Sequence, residues 1–327
     1  MNVGLIGLKG HYGTILQGLR AADCRLVAVC DDDEATLAAA RGLPQAEADL
    51  RVYTDYRAML DREQLDIVGE TGTDDQRAAV IATCAERGLH VLAEKPLARD
   101  LDGLARVREV VAAGGIQLSM LLTMRFEPAY RAIRQQVAAG AIGEVCQATM
   151  QKSYRLGNRP AWQRSRKTFS GIIPFIGIHG LDLVRWTSGR EFTRAMGFAA
   201  NTGHPELGEL EDHACVALKL DNGGSAALRL DYCRPAAAPT HGDDRLRLAG
   251  SRGVIESLAC GAQVTLITAA EGPRELPLPA APDQFVNFVR AIRGEEPCEV
   301  PAEDCFRMTE IVLRLRDAAD RGEVAAL

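Results

Sequence analysis

The sequence predicts an α/β protein that begins with a doubly wound parallel sheet. Three observations carry this. Short apolar runs alternate with helical patterns from residue 2 to residue 122. A strand, a glycine turn and a helix follow one another over residues 2–19, the context in which a dinucleotide-binding loop is found. The stretch Gly88-Leu89-His90-Val91-Leu92-Ala93-Glu94-Lys95-Pro96 reads as a buried strand after a helix, with Glu94 and Lys95 at its carboxyl end. In open α/β sheets, ligands bind beyond the carboxyl ends of the strands. A lysine there can exchange protons, because burial or a nearby cation favours its neutral form.

The elements follow in order. Residues 2–6 form a strand, and Gly7-Leu8-Lys9-Gly10-His11-Tyr12-Gly13 makes the turn into a helix through Ile15, Leu16 and Leu19. The turn reads as the cofactor loop, its glycines letting backbone approach a pyrophosphate at the helix N-terminus. Its spacing is Gly-x-x-Gly-x-x-Gly, with Lys9 where a glycine is usual, so Lys9 either contacts the phosphates or points to solvent. A strand over 26–30 ends at Asp31, where a carboxylate would accept the ribose hydroxyls and repel a 2′-phosphate; NAD is therefore expected over NADP. Capping of the next helix by Asp31, Asp32 and Asp33 is the competing reading. Further helices are expected over 35–41, 56–60, 77–87 and 101–113, and strands over 65–68, 90–93 and 116–122. Thr71 and Gly72 lie in the loop after one of these strands. Beyond residue 200, alternating strands are expected over 214–220, 224–232, 245–249, 253–256 and 262–268. Asp221-Asn222-Gly223-Gly224 forms a hairpin turn, and closing helices span 283–293 and 302–321.

Composition excludes several classes. The chain has 327 residues, 47% hydrophobic and 25% charged, so two domains with sizeable cores are expected. A net charge of -6 argues against nucleic acid or an anionic membrane as the main partner. No apolar run is long enough to span a bilayer. No basic leader precedes the first strand, and the nine cysteines are scattered, so a reduced, cytoplasmic protein without a metal framework is expected.

The combination Val-Ala-Val-Cys-Asp, Asp-Ile-Val, Gly-Leu-His-Val-Leu-Ala-Glu-Lys-Pro-Leu-Ala and Met-Arg-Phe-Glu-Pro resembles the glucose–fructose oxidoreductase / myo-inositol dehydrogenase (Gfo/Idh/MocA) family. His179-Gly180-Leu181-Asp182 matches its His-x-x-Asp helix. The resemblance implies a Rossmann domain, here 1–122, followed by an α/β domain, here 123–327, with a large, open, mostly antiparallel sheet; the closing helices pack back on the first. It implies pairing of such sheets into a homodimer or homotetramer. It also implies oxidation of a sugar or polyol hydroxyl, with Lys95 and His179 as the catalytic pair and Thr71 and Gly72 in the loop that covers the cofactor. The family usually carries an aspartate four residues before the histidine, where this chain has Phe175. A dry, anion-free pocket would favour a neutral lysine as proton acceptor.

Residues 145–181 contain no Asp or Glu but carry Lys152, Arg155, Arg159, Arg164, Arg166 and Lys167 with Tyr154, Trp162 and Phe169 among them. One reading is a site for an acidic or polyhydroxylated substrate, contacted by Tyr154, Arg155, Trp162 and Phe175. The other is a solvated loop or a subunit interface. Asp182 is expected to accept a substrate hydrogen bond or orient His179. The run from His204 to His213 fits no standard metal spacing. Two alternatives to a dehydrogenase remain open at this level: an NAD-retaining lyase or glycosidase-type enzyme, and an NAD-binding sensor with an altered site.

Overall fold

A computed structural model describes residues 1–327. The chain divides into two compact units, one of residues 1–123 and 282–309, the other of residues 124–281 and 310–327.

The first unit alternates strand and helix: β1 (Asn2–Ile6), α1 (Tyr12–Gly18), β2 (Arg25–Cys30), α2 (Glu34–Ala40), β3 (Arg51–Tyr53), α3 (Tyr56–Arg62), β4 (Ile67–Glu70), α4 (Asp74–Ala85), β5 (His90–Ala93), α5 (Leu101–Gly114) and β6 (Leu118–Met120). The six strands are parallel in the order β3-β2-β1-β4-β5-β6, a doubly wound sheet. Order reverses beside β1, so the crevice beyond β1 and β4 is the ligand position of such sheets. Valine, leucine and isoleucine fill the strands because both faces are covered. Side-chain caps start the helices: Asp33 accepts from Thr36 N at 3.1 Å, and Asp100 from Gly103 N at 2.8 Å. Phe285, Phe288 and Val289 of the later helix α8 (Gln284–Ile292) complete the core formed by Val3, Leu5, Ile15 and Ile67.

The second unit contains α6 (Pro128–Ala138), β7 (Val145–Arg155), α7 (Ile178–Ser188), β8 (Phe192–Ala200), β9 (His213–Leu220), β10 (Ser225–Arg234), β11 (Arg245–Gly250), β12 (Gly253–Leu258), β13 (Gln263–Thr268), β14 (Arg274–Glu275) and, at its end, β15 (Ala325–Ala326). Helix α9 (Ala302–Arg321) supplies residues to both units. The nine strands run in the order β14-β13-β12-β11-β7-β10-β9-β8-β15. Only β7 and β10 pair in parallel, so the sheet is mixed and mostly antiparallel. Burial alternates along β9 and β10, leaving one face covered and one open. No helix is long and apolar enough to cross a membrane.

Several boundaries differ from the sequence expectation. The strand expected over 65–68 lies two residues later, because Asp66 instead accepts from Asn2 N through its side chain. Helix α4 begins at Asp74 rather than 77, since Asp74 joins the buried ion pairs of Arg77. The strand expected over 116–122 shrinks to Leu118–Met120. Strand β7 occupies the start of the basic stretch read above as a substrate segment, loop or interface. Its buried face carries Lys152, whose charge hides the apolar alternation.

Candidate active site

In the first unit, the glycine turn is shaped by two positive backbone angles, Gly7 at φ +78° and Gly10 at φ +86°. A Cβ on Gly7 would stand 2.4 Å from Gly72 Cα, and one on Gly10 2.4 Å from Glu94 Oε1. Both positions therefore require glycine on conformational and steric grounds. Thr71 stitches the turn, its hydroxyl donating to Gly7 O at 2.5 Å and its carbonyl accepting from Lys9 N at 3.1 Å. Tyr12 and Gly13 begin α1. Beside the turn lies a cavity of about 200 Å³, lined among others by Gly7, Lys9, Asp31, Asp32, Tyr56 and Gly72.

Asp31 does not present an open carboxylate to this cavity. It is buried and accepts from Leu8 N at 2.8 Å, Asp33 N at 3.0 Å and Lys9 Nζ at 2.9 and 3.1 Å. A carboxylate has about four acceptor positions, and the chain uses all of them. Asp31 organises the glycine turn, and the exposed carboxylate beside it at the cavity is Asp32. Lys9 bridges Asp31 and Asp32, the latter at 2.8 Å. Burial pulls the Lys9 ammonium down, but hydrogen bonds to Asp32 and Asp31 outweigh it and hold the group above its ordinary value. Asp33 caps α2, as the competing reading had it.

Strand β5 delivers Glu94 and Lys95, and the Lys95–Pro96 peptide is cis. Glu94 Oε1 accepts from both His11 N and His11 Nδ1 at 2.5 Å, and Oε2 from Lys95 N at 2.9 Å. Lys95 Nζ lies 3.9 Å from Glu94 Oε2, and its side chain is only 4% exposed. Burial raises the Glu94 carboxyl, but the charges of His11 and Lys95 more than offset this and keep it well below its usual range. Glu94 thus ties the glycine turn to the lysine. Substituting Gly10 with alanine places a methyl on Glu94; we expect NAD affinity in a calorimetric titration to fall at least about tenfold, the strain being of order 1–3 kcal/mol.

Arg77 escaped the sequence reading. Its side chain is buried, with Nε 2.7 Å from Glu70, Nη1 3.0 Å from Asp74 and 2.8 Å from Pro96 O, and Nη2 2.8 Å from Gly72 O. It joins the loop after β4 to the end of β5. Burial pushes the Glu70 carboxyl up to about 7 against the pull of Arg77. The signal available in the sequence was an acid one turn before an arginine, placed just after a strand.

In the second unit, His179 is buried at the start of α7, directly after a wide π-type turn (Ile173–Gly177). Such turns recur at functional sites. Phe175 lies in that turn, and its ring meets Phe169 and Trp162 edge-on at centroid distances of 5.1 and 5.9 Å. Trp162 and Phe175 are therefore brought together. Asp182 is buried, and Arg125 holds both its oxygens, from Nε at 2.8 Å and Nη2 at 2.5 Å. Tyr154 stacks on His241 at 5.1 Å and places its hydroxyl 3.4 Å from Asp244 Oδ2. Arg155 donates to Ala238 O.

The basic stretch is partly neutralised by acids from other elements. Lys152 Nζ lies 2.6 Å from Asp244, and Arg166 pairs with Glu211 and Asp320 at 3.2 and 2.8 Å. The segment from His204 to His213 closes on the buried Asp212, which accepts from Thr202 N and Gly203 N and meets the Nδ1 atoms of His204 and His213 at 3.2 and 2.7 Å.

The positive-φ turn, the helix N-terminus and the cavity flanked by carboxylates fit a dinucleotide. Comparison with known proteins agrees. Residues 1–121 match the model described as oxidoreductase family, NAD-binding Rossmann fold, and residues 130–256 match the GFO/IDH/MocA C-terminal domain. The chain is 30% identical over 301 residues to inositol 2-dehydrogenase 2 of Saccharopolyspora erythraea, covering 90% of this chain and 83% of that one. It is 24% identical to D-xylose 1-dehydrogenase (NADP(+)) 2 of Haloferax volcanii over 100% of both chains. A solved structure from Thermotoga maritima overlays with a TM-score of 0.95 at 31% identity, covering 100% of both chains.

Proposed function

The chain belongs to the Gfo/Idh/MocA oxidoreductase family, and from that premise we propose that it transfers a hydride between a sugar, polyol or sugar-acid carbinol and nicotinamide, with Lys95 as general acid/base. The observation that carries the reading is the Lys95 amine, held out of water at the carboxyl end of β5 with Glu94 3.9 Å away. Ligands of such sheets bind beyond the carboxyl ends of the strands, so the amine stands where a proton acceptor is needed.

Bound nicotinamide supplies a hydride acceptor. In the oxidative direction, the substrate hydroxyl gives its proton to Lys95 Nζ as the carbinol carbon loses its hydride, and a carbonyl remains. His179 is the second unit's candidate for a hydrogen bond to the substrate, set directly after the apolar turn that holds Phe175. Glu94 and Arg77 hold the strand end and the glycine turn in fixed relation. Asp32, beside Asp31, favours a ribose diol over a 2′-phosphate, so NAD is the cofactor. The enzyme acts in the cytoplasm as a homodimer or homotetramer formed through the open sheet of the second unit.

The relatives named as inositol and xylose dehydrogenases support a polyhydroxylated substrate. The test is NADH formation by the purified protein against a panel of polyols, aldoses and uronates. Reduction of NAD by at least one of them is the expected result. NAD binding without reduction by any of them would overturn the dehydrogenase reading.

A further inference from the structure

Acids do not neutralise the whole basic stretch of the second unit. Arg155 and Arg159 are half-buried and make no ion pair. The Nε atom of each is buried without a hydrogen-bond partner. Arg155 otherwise donates only to the carbonyl of Ala238. Arg159 lies 3.9 Å over the Tyr232 ring; its Nη2 is 3.3 Å from Arg155 O, and its Nη1 is 3.5 Å from Gln163 Oε1, both long for hydrogen bonds. Buried polar groups are almost always satisfied, and a desolvated guanidinium is most fully satisfied by an oxyanion that takes two of its N–H groups. Two such groups in one place, in a chain of net charge -6, are a local positive charge that the chain's own acids leave uncompensated.

The surroundings agree. His241 accepts from Arg155 N at 2.9 Å through its carbonyl, and its imidazole stacks on Tyr154. Burial and the fields of Arg159 and Arg155 hold that imidazole below its ordinary pKa, so both guanidiniums act on one spot. The spot borders the turn that positions His179. Trp162, three residues after Arg159, meets Phe175 in that turn. Tyr232 shares its face of β10 with Leu230, whose Cδ1 would touch a Cβ on Gly177 at 2.7 Å.

We propose that Arg155 and Arg159 form an anion subsite that takes the carboxylate or phosphate of an acidic sugar substrate. The proposal rests on the oxidoreductase reading above and names the substrate class for that site. The subsite gives specificity rather than chemistry: the anion fixes the sugar while a hydroxyl elsewhere on it reacts.

The test uses three probes, D-glucuronate, D-glucose 6-phosphate and myo-inositol, on the NAD-loaded wild type and on Arg159→Met and Arg155→Met, with thermal melts confirming that the variants fold. One acidic probe is expected to exceed myo-inositol in kcat/KM by at least about tenfold. Its identity tells carboxylate from phosphate. In Arg159→Met that acidic-to-neutral ratio falls at least about tenfold, mostly through KM, and 0.5 M salt lowers it in the wild type by screening the same charge. Arg159→Lys, which keeps the charge but loses the fork, recovers part of the ratio. Calorimetric titration of each acidic probe separates binding from chemistry. Binding that Arg159→Met removes, without NAD reduction by any probe, would support the subsite and sink the redox reading. Oxidation of myo-inositol as efficient as that of both acids, with a ratio that Arg159→Met leaves unchanged, would overturn the subsite and leave the redox reading standing. No binding of either acid would overturn the subsite as well.

Discussion

Lys95→Ala is expected to lower turnover by about 10²–10⁴-fold, the usual worth of a positioned acid/base, while NAD affinity stays within about threefold. The split follows from the geometry. The amine is buried at the end of β5, and the contacts that shape the cofactor turn run through the backbone of Gly7 and Lys9, through Thr71 and through Glu94 to His11. Removing the ammonium leaves His11 bound to Glu94 at 2.5 Å. Single-turnover NADH formation together with a calorimetric titration reads both quantities. Retention of full turnover would rule out Lys95 as the proton acceptor. Loss of NAD binding equal to the loss of turnover would instead make Lys95 a structural residue of the turn.

Arg77→Met should have the largest effect on stability. The guanidinium serves two carboxylates and two carbonyls, all deep in the first unit. Methionine matches much of its volume but leaves Glu70 and Asp74 without their counter-charge. Breaking a buried ion pair from one side typically costs about 3–5 kcal/mol. Glu70 is already pushed up to about 7 by burial, so in the variant it folds protonated. A group whose folded pKa lies above its unfolded value stabilises most at low pH and loses that contribution as pH rises through the folded value. The loss of stability in Arg77→Met should therefore be smaller at pH 5 than at pH 8. Thermal melts across that range check it, and a pH-independent loss would show that packing, not charge, is the cause.

What the sequence made legible was local. Strand β5 and helix α9 were readable to the residue, because glycine, proline and an unbroken apolar pattern bound them. The parallel sheet followed from alternation alone. What escaped depends on partners far along the chain. Lys152 reads as a surface charge until Asp244, 92 residues away, neutralises it and makes β7 a buried strand. Asp182 reads as a free acceptor beside a histidine until Arg125, 57 residues earlier, takes both its oxygens. Asp31 sits where a ribose carboxylate belongs, and only the reach of Lys9 shows that its acceptor positions are taken. Charge pairing at long range has no period for a sequence pattern to reveal, whereas burial in strands and helices does.

The first unit is assembled from two separated pieces of chain, and this has a consequence for how the protein is made. Phe285, Phe288 and Val289 line the same core as Val3, Leu5 and Ile15, yet they leave the ribosome some 280 residues later. A nascent chain that has just completed β6 has the strands of its sheet but lacks the aromatic side chains that seal one flank. It must wait, with that flank exposed, while residues 124–281 of the second unit are translated. Cutting the gene after residue 123 would freeze the chain in this unsealed state. The cofactor domain is contiguous in function but cannot be excised as a contiguous stretch of sequence.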